Sequence, residues 1–328
     1  MIVNRPWRND GLDAALDSLR VLKPPAGLDL ALAYLRPLRG RAEEHVQAMT
    51  AFADGLVPAL TELRERGRAR ETEDGEAADL LALLGRTLIV RAWQVRGSGP
   101  AATVSRDSFD TFGSLLAESD DVLVAALERV PHHPAAATFR LTTARGLGAT
   151  SDEWWARFET ARRERGTLFP AHVDMMNGLC RKWYGSDERM FEFARSVAAK
   201  APAGDPVSAI LPLAHAEYLC SLRMSGRPAK GPSARRLLAR EWRADVDAVA
   251  AASRRWCGDG TGPVPAHPAD VTAHNLFGWF LGVSRRHRDQ GRWHLQQAAG
   301  RMTGPPWSYL PPSAILAFEN LHAKLGIG

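Results

Sequence analysis

Apolar residues recur every three to four positions along most of this 328-residue chain, which is the spacing of one helix face. Runs that alternate apolar and polar residues, as strands do, are scarce. The pattern therefore predicts an all-α protein. It places helices over residues 10–20, 41–66, 75–96, 106–130, 134–146, 152–165, 170–183, 187–200, 206–224, 234–257, 268–287, 291–302 and 313–325. Residues suited to capping helix N-termini stand at the start of several of these runs, namely Asn9 or Asp10, Ser105, Ser151 and Ser186.

Three prolines divide the middle of the chain at a fixed interval. Pro134, Pro170 and Pro206 are 36 residues apart, and each ends one amphipathic run and opens another. Proline fits the first turn of a helix, where its missing N–H needs no partner, and it stops the helix before it. The same interval separates three small residues on the helices that these prolines open, Ala144, Cys180 and Ala216. The spacing predicts an α-solenoid of stacked antiparallel helix pairs, close to the ~34-residue tetratricopeptide repeat.

A charged segment that contains two glycines, residues 64–76, interrupts the helical pattern early in the chain. Such a composition is typical of a linker or an exposed loop. We therefore expect an N-terminal helical cap over residues 1–70 and a helical-repeat domain over residues 71–328.

Three stretches carry a more specific pattern than the repeat interval. They are residues 86–99 (RTLIVRAWQVRGSG), residues 182–195 (KWYGSDERMFEFAR), and residues 274–280 (HNLFGWF) with Pro306 and Trp307. They resemble segments of a group of actinobacterial tetratricopeptide-like proteins whose domain has no assigned function. The resemblance covers about residues 75–325 and implies the helical-repeat fold. It implies no catalytic residue.

Composition narrows the class of protein. The chain has 45% hydrophobic and 24% charged residues, as soluble globular proteins do. Its net charge is +5, but no basic segment is interleaved with aromatic residues, so we expect no nucleic-acid partner. Three scattered cysteines without a Cys-x-x-Cys pair favour a reducing compartment. No run approaches the ~18 apolar residues of a membrane span, and the first residues lack the apolar core of a signal peptide. These features predict a soluble, cytoplasmic protein.

Motifs that carry chemistry are few. Glu319 and His322 have the spacing of half a di-iron carboxylate site, but the chain has no second Glu-x-x-His. The glycine-rich residues 146–148 and 258–262 do not continue into a phosphate-binding loop, and there is no Gly-x-Ser-x-Gly motif. We therefore expect no metal and no cofactor, and we assign no catalytic residue. Whether the chain is an enzyme stays open, although the lack of a motif favours a non-catalytic role.

The repeat interval also relates three charged residues, Arg145, Arg181 and Glu217. Equivalent positions of successive repeats project to one side, so these residues are candidates for a partner-binding strip; the alternative is a set of salt bridges between repeats. His215 is a candidate for a polar pocket. Trp183 belongs to an aromatic-rich second half that either fills the core or lines a groove.

Solenoids create long concave surfaces, and most of them use these surfaces to bind other proteins. The favoured function is therefore a helical-repeat scaffold that binds a protein or peptide partner. The alternative is an enzyme or small-molecule-binding protein built in a closed helical array.

Overall fold

The computed structural model describes residues 6–68, 73–97, 103–183, 185–224, 232–259 and 266–327. About 77% of the chain is helical, and these residues contain no strand, so the predicted all-α class is confirmed. The helices are α1 (Asp10–Leu19), α2 (Pro24–Leu35), α3 (Ala42–Gly55), α4 (Leu60–Gly67), α5 (Asp74–Arg96), α6 (Arg106–Arg129), α7 (Pro134–Leu147), α8 (Ser151–Ala161), α9 (Phe169–Gly178), α10 (Asp187–Lys200), α11 (Ile210–Met224), α12 (Pro232–Cys257), α13 (Asp270–Gly282), α14 (Arg288–Gln297) and α15 (Ala314–Leu325).

Capping residues define where several helices begin. The side chains of Asn9, Ser105 and Ser186 accept the backbone N–H of the third residue of their helices, which confirms these predicted caps. The predicted cap Ser151 is wrong by one residue. Thr150 is the cap of α8, and it forms a reciprocal pair of hydrogen bonds with Glu153.

The evenly spaced prolines lie at helix starts, as predicted. Pro134 is the first residue of α7, and Pro170 is the second residue of α9. Pro206 opens a 3₁₀ turn, Pro206–Ala209, that leads directly into α11. The three small residues at the same interval are all buried. Cys180, however, lies two residues beyond the end of α9, where a second 3₁₀ turn (Arg181–Trp183) replaces the predicted continuation of the helix.

Two of the differences from the pattern-based boundaries arise at prolines. Residues 41–66 form two helices, because α3 ends at Gly55 and the segment Val57–Ala59, which contains Pro58, is a 3₁₀ turn. Proline removes a helical hydrogen bond and clashes with the preceding turn, so the interruption at Pro58 follows from its chemistry. Helix α2 was not predicted. Pro24 and Pro25 occupy its first turn, and Leu28, Ala31 and Leu35 form its buried face.

The chain forms two compact units. The first unit comprises Asn9–Met175; the second comprises the described residues of Met176–Gly328 together with those of Met1–Arg8. Helices on both sides of the predicted boundary at residue 70 belong to the first unit, and that boundary itself lies outside the described residues. Among the helices that the structure describes, none is long and apolar enough to cross a membrane.

Helix α5 is central to the first unit. It packs against α2, α3, α4, α6 and α7, and it is buried on most of its circumference. Gly85 lets α6 approach closely, since a Cβ at this position would lie 2.6 Å from Leu123. Ser119 of α6 donates a hydrogen bond to the Gly85 carbonyl. Helix α5 also carries Asp79, a fully buried carboxylate, into the interior of the first unit.

Helix α13 has the corresponding place in the second unit, where almost every one of its residues is buried. Its Asn275 accepts a 2.6 Å hydrogen bond from the indole N–H of Trp307 and donates to the Arg301 carbonyl. These bonds satisfy the polar atoms of a residue that is fully buried.

Candidate functional site

A cavity of 580 Å³ opens in the first unit where four segments meet. These are the turn before α3, the start of α5, the start of α7 and the turn after α8. Gly40 has a φ of +84°, a conformation that favours glycine, and it places Arg39 and Arg41 on either side of a tight turn at the cavity wall. The charged and titratable residues that line the cavity are Arg39, Arg41, Glu44, His45, Asp79, His132, His133, Glu164 and Arg165.

Asp79 is the centre of a buried polar cluster on this wall. Its Oδ2 accepts a 2.6 Å hydrogen bond from Nε of Arg39, and its Oδ1 lies 3.0 Å from Nε2 of His133. The same Oδ1 lies 2.8 Å from Nε2 of His45. We name these four residues, Arg39, His45, Asp79 and His133, the Asp79 cluster.

The hydrogen bonds of His133 fix its tautomer. Its Nδ1 accepts the backbone N–H of Ala136 and thereby caps α7, so this nitrogen carries no proton. The proton of the neutral ring must lie on Nε2, which donates to Asp79. Burial lowers the pKa of His133 although Asp79 opposes this effect, so the ring is neutral near pH 7.

The ring of His45 has fewer hydrogen bonds than the ring of His133. It is only 2% exposed, yet neither ring nitrogen makes a well-aligned hydrogen bond with the residues that the structure describes. Its Nε2 nevertheless lies 2.8 Å from Oδ1 of Asp79, close enough to stabilise the carboxylate, whereas Nδ1 has no hydrogen-bond partner among the described residues. A buried polar atom without a hydrogen bond costs about 1–3 kcal/mol, and in a native protein it needs an explanation.

Asp79 stays ionised despite its burial. Burial on its own raises the pKa of this carboxyl, but the contacts of His133, His45 and Arg39 outweigh that effect and hold the pKa well below its usual range. The negative charge of Asp79 is therefore fixed at neutral pH. The positive charge of the Arg39 guanidinium lies beside this carboxylate and balances it.

The cluster contains the ligand types of a metal site, because atoms of His45, Asp79 and His133 lie within 4.8 Å of one another. Their hydrogen bonds do not suit one. His133 uses one nitrogen as a helix cap and the other as a donor, and a metal on Nε2 would require the proton to move to the nitrogen that faces Ala136. Arg39 also occupies the second oxygen of Asp79. The arrangement fits a network of hydrogen bonds and charges better than it fits a metal-binding site.

The outer wall of the cavity is formed by paired charges. Arg41 donates from Nε and Nη2 to Glu44, at 3.2 and 2.7 Å. Nε of Arg165 lies 3.4 Å from the buried carboxylate of Glu43, which also accepts the first backbone N–H of α9 from Phe169. The described lining residues include no serine, threonine, cysteine, lysine or tyrosine. The cavity is therefore equipped for binding and proton transfer, and its described lining offers no hydroxyl, thiol or amine nucleophile.

The residues predicted from the repeat interval lie elsewhere. Arg145 is on α7 in the first unit, with a side chain only 14% exposed, and its guanidinium lies 3.5 Å from Asp174 and over the ring of Trp93. Arg181 and Trp183 share the 3₁₀ turn of the second unit. The side chain of Arg181 is 60% exposed and pairs with Asp187.

Glu217 and His215 are buried on α11 in the second unit. Glu217 accepts hydrogen bonds from Lys182 at 2.5 Å and from the hydroxyl of Tyr309 at 2.6 Å. Nε2 of His215 lies 2.9 Å from Asp245. Both side chains thus take part in internal charge networks, and the partner-binding strip stays a prediction.

His45, Asp79 and His133 were not singled out as site residues by the sequence analysis. They lie on three helices or helix starts far apart in the chain, and only His133, directly before Pro134, stands at a recognisable position. No protein family, curated protein or solved structure was found to match this chain.

Proposed function

We propose that the first unit binds a small anionic molecule, one that carries a carboxylate, phosphate or sulfate group, in the cavity beside the Asp79 cluster. The observation that carries this proposal is the cavity itself, whose lining includes three arginines, Arg39, Arg41 and Arg165. The function is the small-molecule-binding alternative that the sequence left open.

The arginines beside the cavity support an anion rather than a cation. A guanidinium has five N–H donors. Arg39 uses Nε for Asp79, and its Nη1 lies 3.8 Å from Glu73. Arg41 uses two nitrogens for Glu44. The remaining donors of these two groups are suited to the oxygens of an anion, which guanidinium groups bind through parallel hydrogen bonds.

We also propose that the helices form a solenoid of stacked antiparallel pairs. Helices that are consecutive in the chain pack on each other, as α5 with α6, α6 with α7, and α7 with α8 do. Short connections between such helices favour antiparallel neighbours. The start of α7, where Pro134 and His133 lie, then serves both the array and the cavity.

The scaffold that binds a protein or peptide partner is a second proposal. Its support is the 3₁₀ turn of the second unit, where the exposed Arg181 stands two residues from Trp183. An exposed guanidinium presents donors that suit the carboxylates of an acidic peptide. The experiment below separates the two proposals, because Arg181 has no place at the cavity.

Isothermal titration calorimetry with sulfate and with succinate tests the cavity. Glycerol is the neutral control ligand. We expect both anions to bind, and we expect Arg41→Gln combined with Arg165→Gln to weaken them at least about tenfold, since each charge-assisted hydrogen bond contributes on the order of 1 kcal/mol or more. The matched control is Arg181→Gln, which removes the same charge from an exposed, carboxylate-paired arginine of the second unit.

Several results would count against the proposal that this cavity binds an anion. Failure of both anions to bind would refute it, and so would equal binding of glycerol. Loss of anion binding in Arg181→Gln, with normal binding in the double variant, would transfer the site to the second unit. Binding of an acidic peptide such as oligoglutamate, without binding of sulfate or succinate, would support the scaffold instead.

A further inference from the structure

Arg86 on α5 is a partly buried arginine without a carboxylate partner. Its Nε is fully buried and makes no hydrogen bond, although the residue as a whole is partly exposed. Among the residues that the structure describes, none accepts a hydrogen bond from this guanidinium or forms an ion pair with it. Nη1 and Nη2 also lack partners but are not fully buried, so they are the atoms that a ligand can reach.

The positive charge of Arg86 is not relieved by loss of a proton, because an arginine in a protein stays protonated. Burial lowers the pKa of Arg86, Asp174 and Asp54 act in the opposite direction, and the charge of Arg145 lowers the pKa further. The guanidinium therefore keeps its charge in a place where an unpaired charge is costly.

The two aspartates near Arg86 do not pair with it. Asp174 on α9 accepts a 3.0 Å hydrogen bond from the hydroxyl of Thr142 at one oxygen, and its other oxygen lies 3.5 Å from Nη1 of Arg145. Asp54, in the last turn of α3, is exposed, so solvent screens its charge. Two guanidinium groups, those of Arg86 and Arg145, thus share one partly buried carboxylate.

Other partly buried arginines of the first unit are paired. Arg140 and Arg157 have side chains that are 24% and 16% exposed, and both bind Asp120, at 3.2 and 2.7 Å. Arg86 has a comparable setting, but the described part of the chain supplies no such carboxylate to it.

The surroundings of Arg86 suit a planar anion. Its Cζ lies 5.4 Å from the centre of the Phe139 ring, which holds the guanidinium by a cation–π contact. Nη1 and Nη2 remain for a ligand, and a guanidinium binds a carboxylate through two parallel hydrogen bonds.

We propose that Arg86 binds the carboxylate of a ligand, either a small organic acid or an acidic residue of a peptide. One negative charge pairs with Arg86, whereas the second charge of a sulfate or phosphate dianion would be repelled by Asp174. Binding forms hydrogen bonds and an ion pair only. The site is separate from the cavity beside the Asp79 cluster, since Arg86 does not line that cavity.

Calorimetric titration of the full-length protein with propionate tests this site, and propionamide is the uncharged control of the same shape. Arg86→Met should weaken propionate at least about tenfold, because two charge-assisted hydrogen bonds are lost together. Arg91→Gln, which removes the same charge from an exposed position of the same helix, should leave the affinity unchanged. The variant that combines Arg41→Gln and Arg165→Gln at the cavity should also retain propionate binding.

A blocked Ala-Glu-Ala peptide, with Ala-Gln-Ala as its control, distinguishes the two sources of the carboxylate. Tighter binding of the glutamate peptide than of propionate would identify a peptide ligand, and weaker binding would identify a small acid. Both should depend on Arg86.

Stability separates a binding role of Arg86 from a structural one. Without ligand, Arg86→Met should keep or raise the melting temperature, because it removes an unpaired charge and leaves an apolar side chain in its place. Asp54→Asn should bind propionate as well as the wild-type protein or better, since it removes a competing carboxylate. Loss of binding in Asp54→Asn would contradict the site.

A direct measurement covers the case in which Arg86→Met melts lower or does not fold. In the wild-type protein, propionate should shift the side-chain NMR signal of Arg86 and leave that of Arg91 in place, and propionamide should shift neither. Absence of that shift would overturn the inference. Equal binding of propionamide, or undiminished propionate binding by a folded Arg86→Met variant, would overturn it as well.

The outcomes also separate this inference from the proposed function. Propionate binding that is lost only in the cavity double variant would overturn the inference and leave the proposed function in place. Failure of sulfate and succinate to bind, with propionate binding that depends on Arg86, would refute the proposed function and support the site at Arg86.

Discussion

Replacement of Asp79 by asparagine tests whether the cluster is a buried charge network. Asparagine keeps the shape of the side chain but presents one acceptor and one donor group. If its oxygen faces the imidazoles, its NH₂ group faces Nε of Arg39; in the opposite orientation the NH₂ group faces the N–H of His133. Either way a buried donor faces another donor, and the guanidinium of Arg39 loses the anion 2.6 Å away.

The expected cost follows from burial. Asp79 is 1% exposed and the side chain of Arg39 is 27% exposed, so solvent replaces little of the lost interaction. Breaking a buried pair on one side costs about 3–5 kcal/mol, and the partial exposure of Arg39 lowers this to about 2–4 kcal/mol. For a unit of this size the melting temperature should fall by roughly 4–16 °C.

Asp74→Asn is the matched control on the same helix. Asp74 pairs with Arg129 at 3.0 Å, but the two side chains are 66% and 39% exposed. Its replacement should cost about 0.3–1 kcal/mol from the lost surface pair and the lost charge in the first helical turn. Urea unfolding followed by circular dichroism, with hydrogen exchange of α5 peptides as a probe of the first unit, measures both variants. An Asp79→Asn cost no larger than that of Asp74→Asn would refute the buried network.

The pH dependence supplies a second test of Asp79. Its pKa is lower in the folded protein than in the unfolded chain, where an aspartate titrates near about 3.9. Its stabilising contribution is therefore fully present above about pH 4 and is lost as the pH falls further. The difference in unfolding free energy between the wild-type protein and Asp79→Asn should accordingly shrink below about pH 4.

Two further pairs of substitutions test packing and burial. Gly85→Ala should destabilise the first unit by about 1–3 kcal/mol, because the new Cβ would lie 2.6 Å from the fully buried Leu123. Gly113→Ala, where a Cβ meets nothing within 4 Å, should stabilise the unit by about 0.5–1 kcal/mol. Equal effects of the two variants in thermal unfolding would contradict the close approach of α5 and α6. In the second unit, Asp245→Asn should cost about 2–4 kcal/mol and Asp247→Asn clearly less, because both aspartates pair with an arginine and a histidine but the side chain of the first is 6% exposed and that of the second 59%. Urea unfolding that ranks the two variants in the opposite order would contradict this.

The helical class and most helix positions followed from local physical chemistry. The N-caps and the prolines act within one turn of the chain, so Asn9, Ser105, Ser186 and Pro134 could be placed from the sequence. The same local information misled where one residue type has two roles. Pro24 follows the predicted helix of residues 10–20, and proline stops a helix as well as it fits a first turn, so the start of α2 at Pro24 was not predicted.

The candidate site could not be found in this way, because its parts come from distant places in the chain. Arg39, His45, Asp79 and His133 meet only after α3, α5 and α7 have packed around a common interior. Their sequence neighbours form no catalytic or metal-binding motif. The predicted strip relied on equal spacing, and spacing does not indicate that Glu217 is covered by Lys182 and Tyr309.

His45 and His172 illustrate what local sequence leaves undetermined. Both are buried histidines on helices of the first unit, 2% and 5% exposed. His172 directs Nδ1 at the carbonyl of Leu168, one turn earlier at 2.8 Å, so its own helix satisfies that nitrogen. His45 has no such bond, and its nearest polar contact, Asp79, belongs to another helix. Helical periodicity predicts that both rings are buried, but only the tertiary contacts determine that His45 lies beside the carboxylate of Asp79.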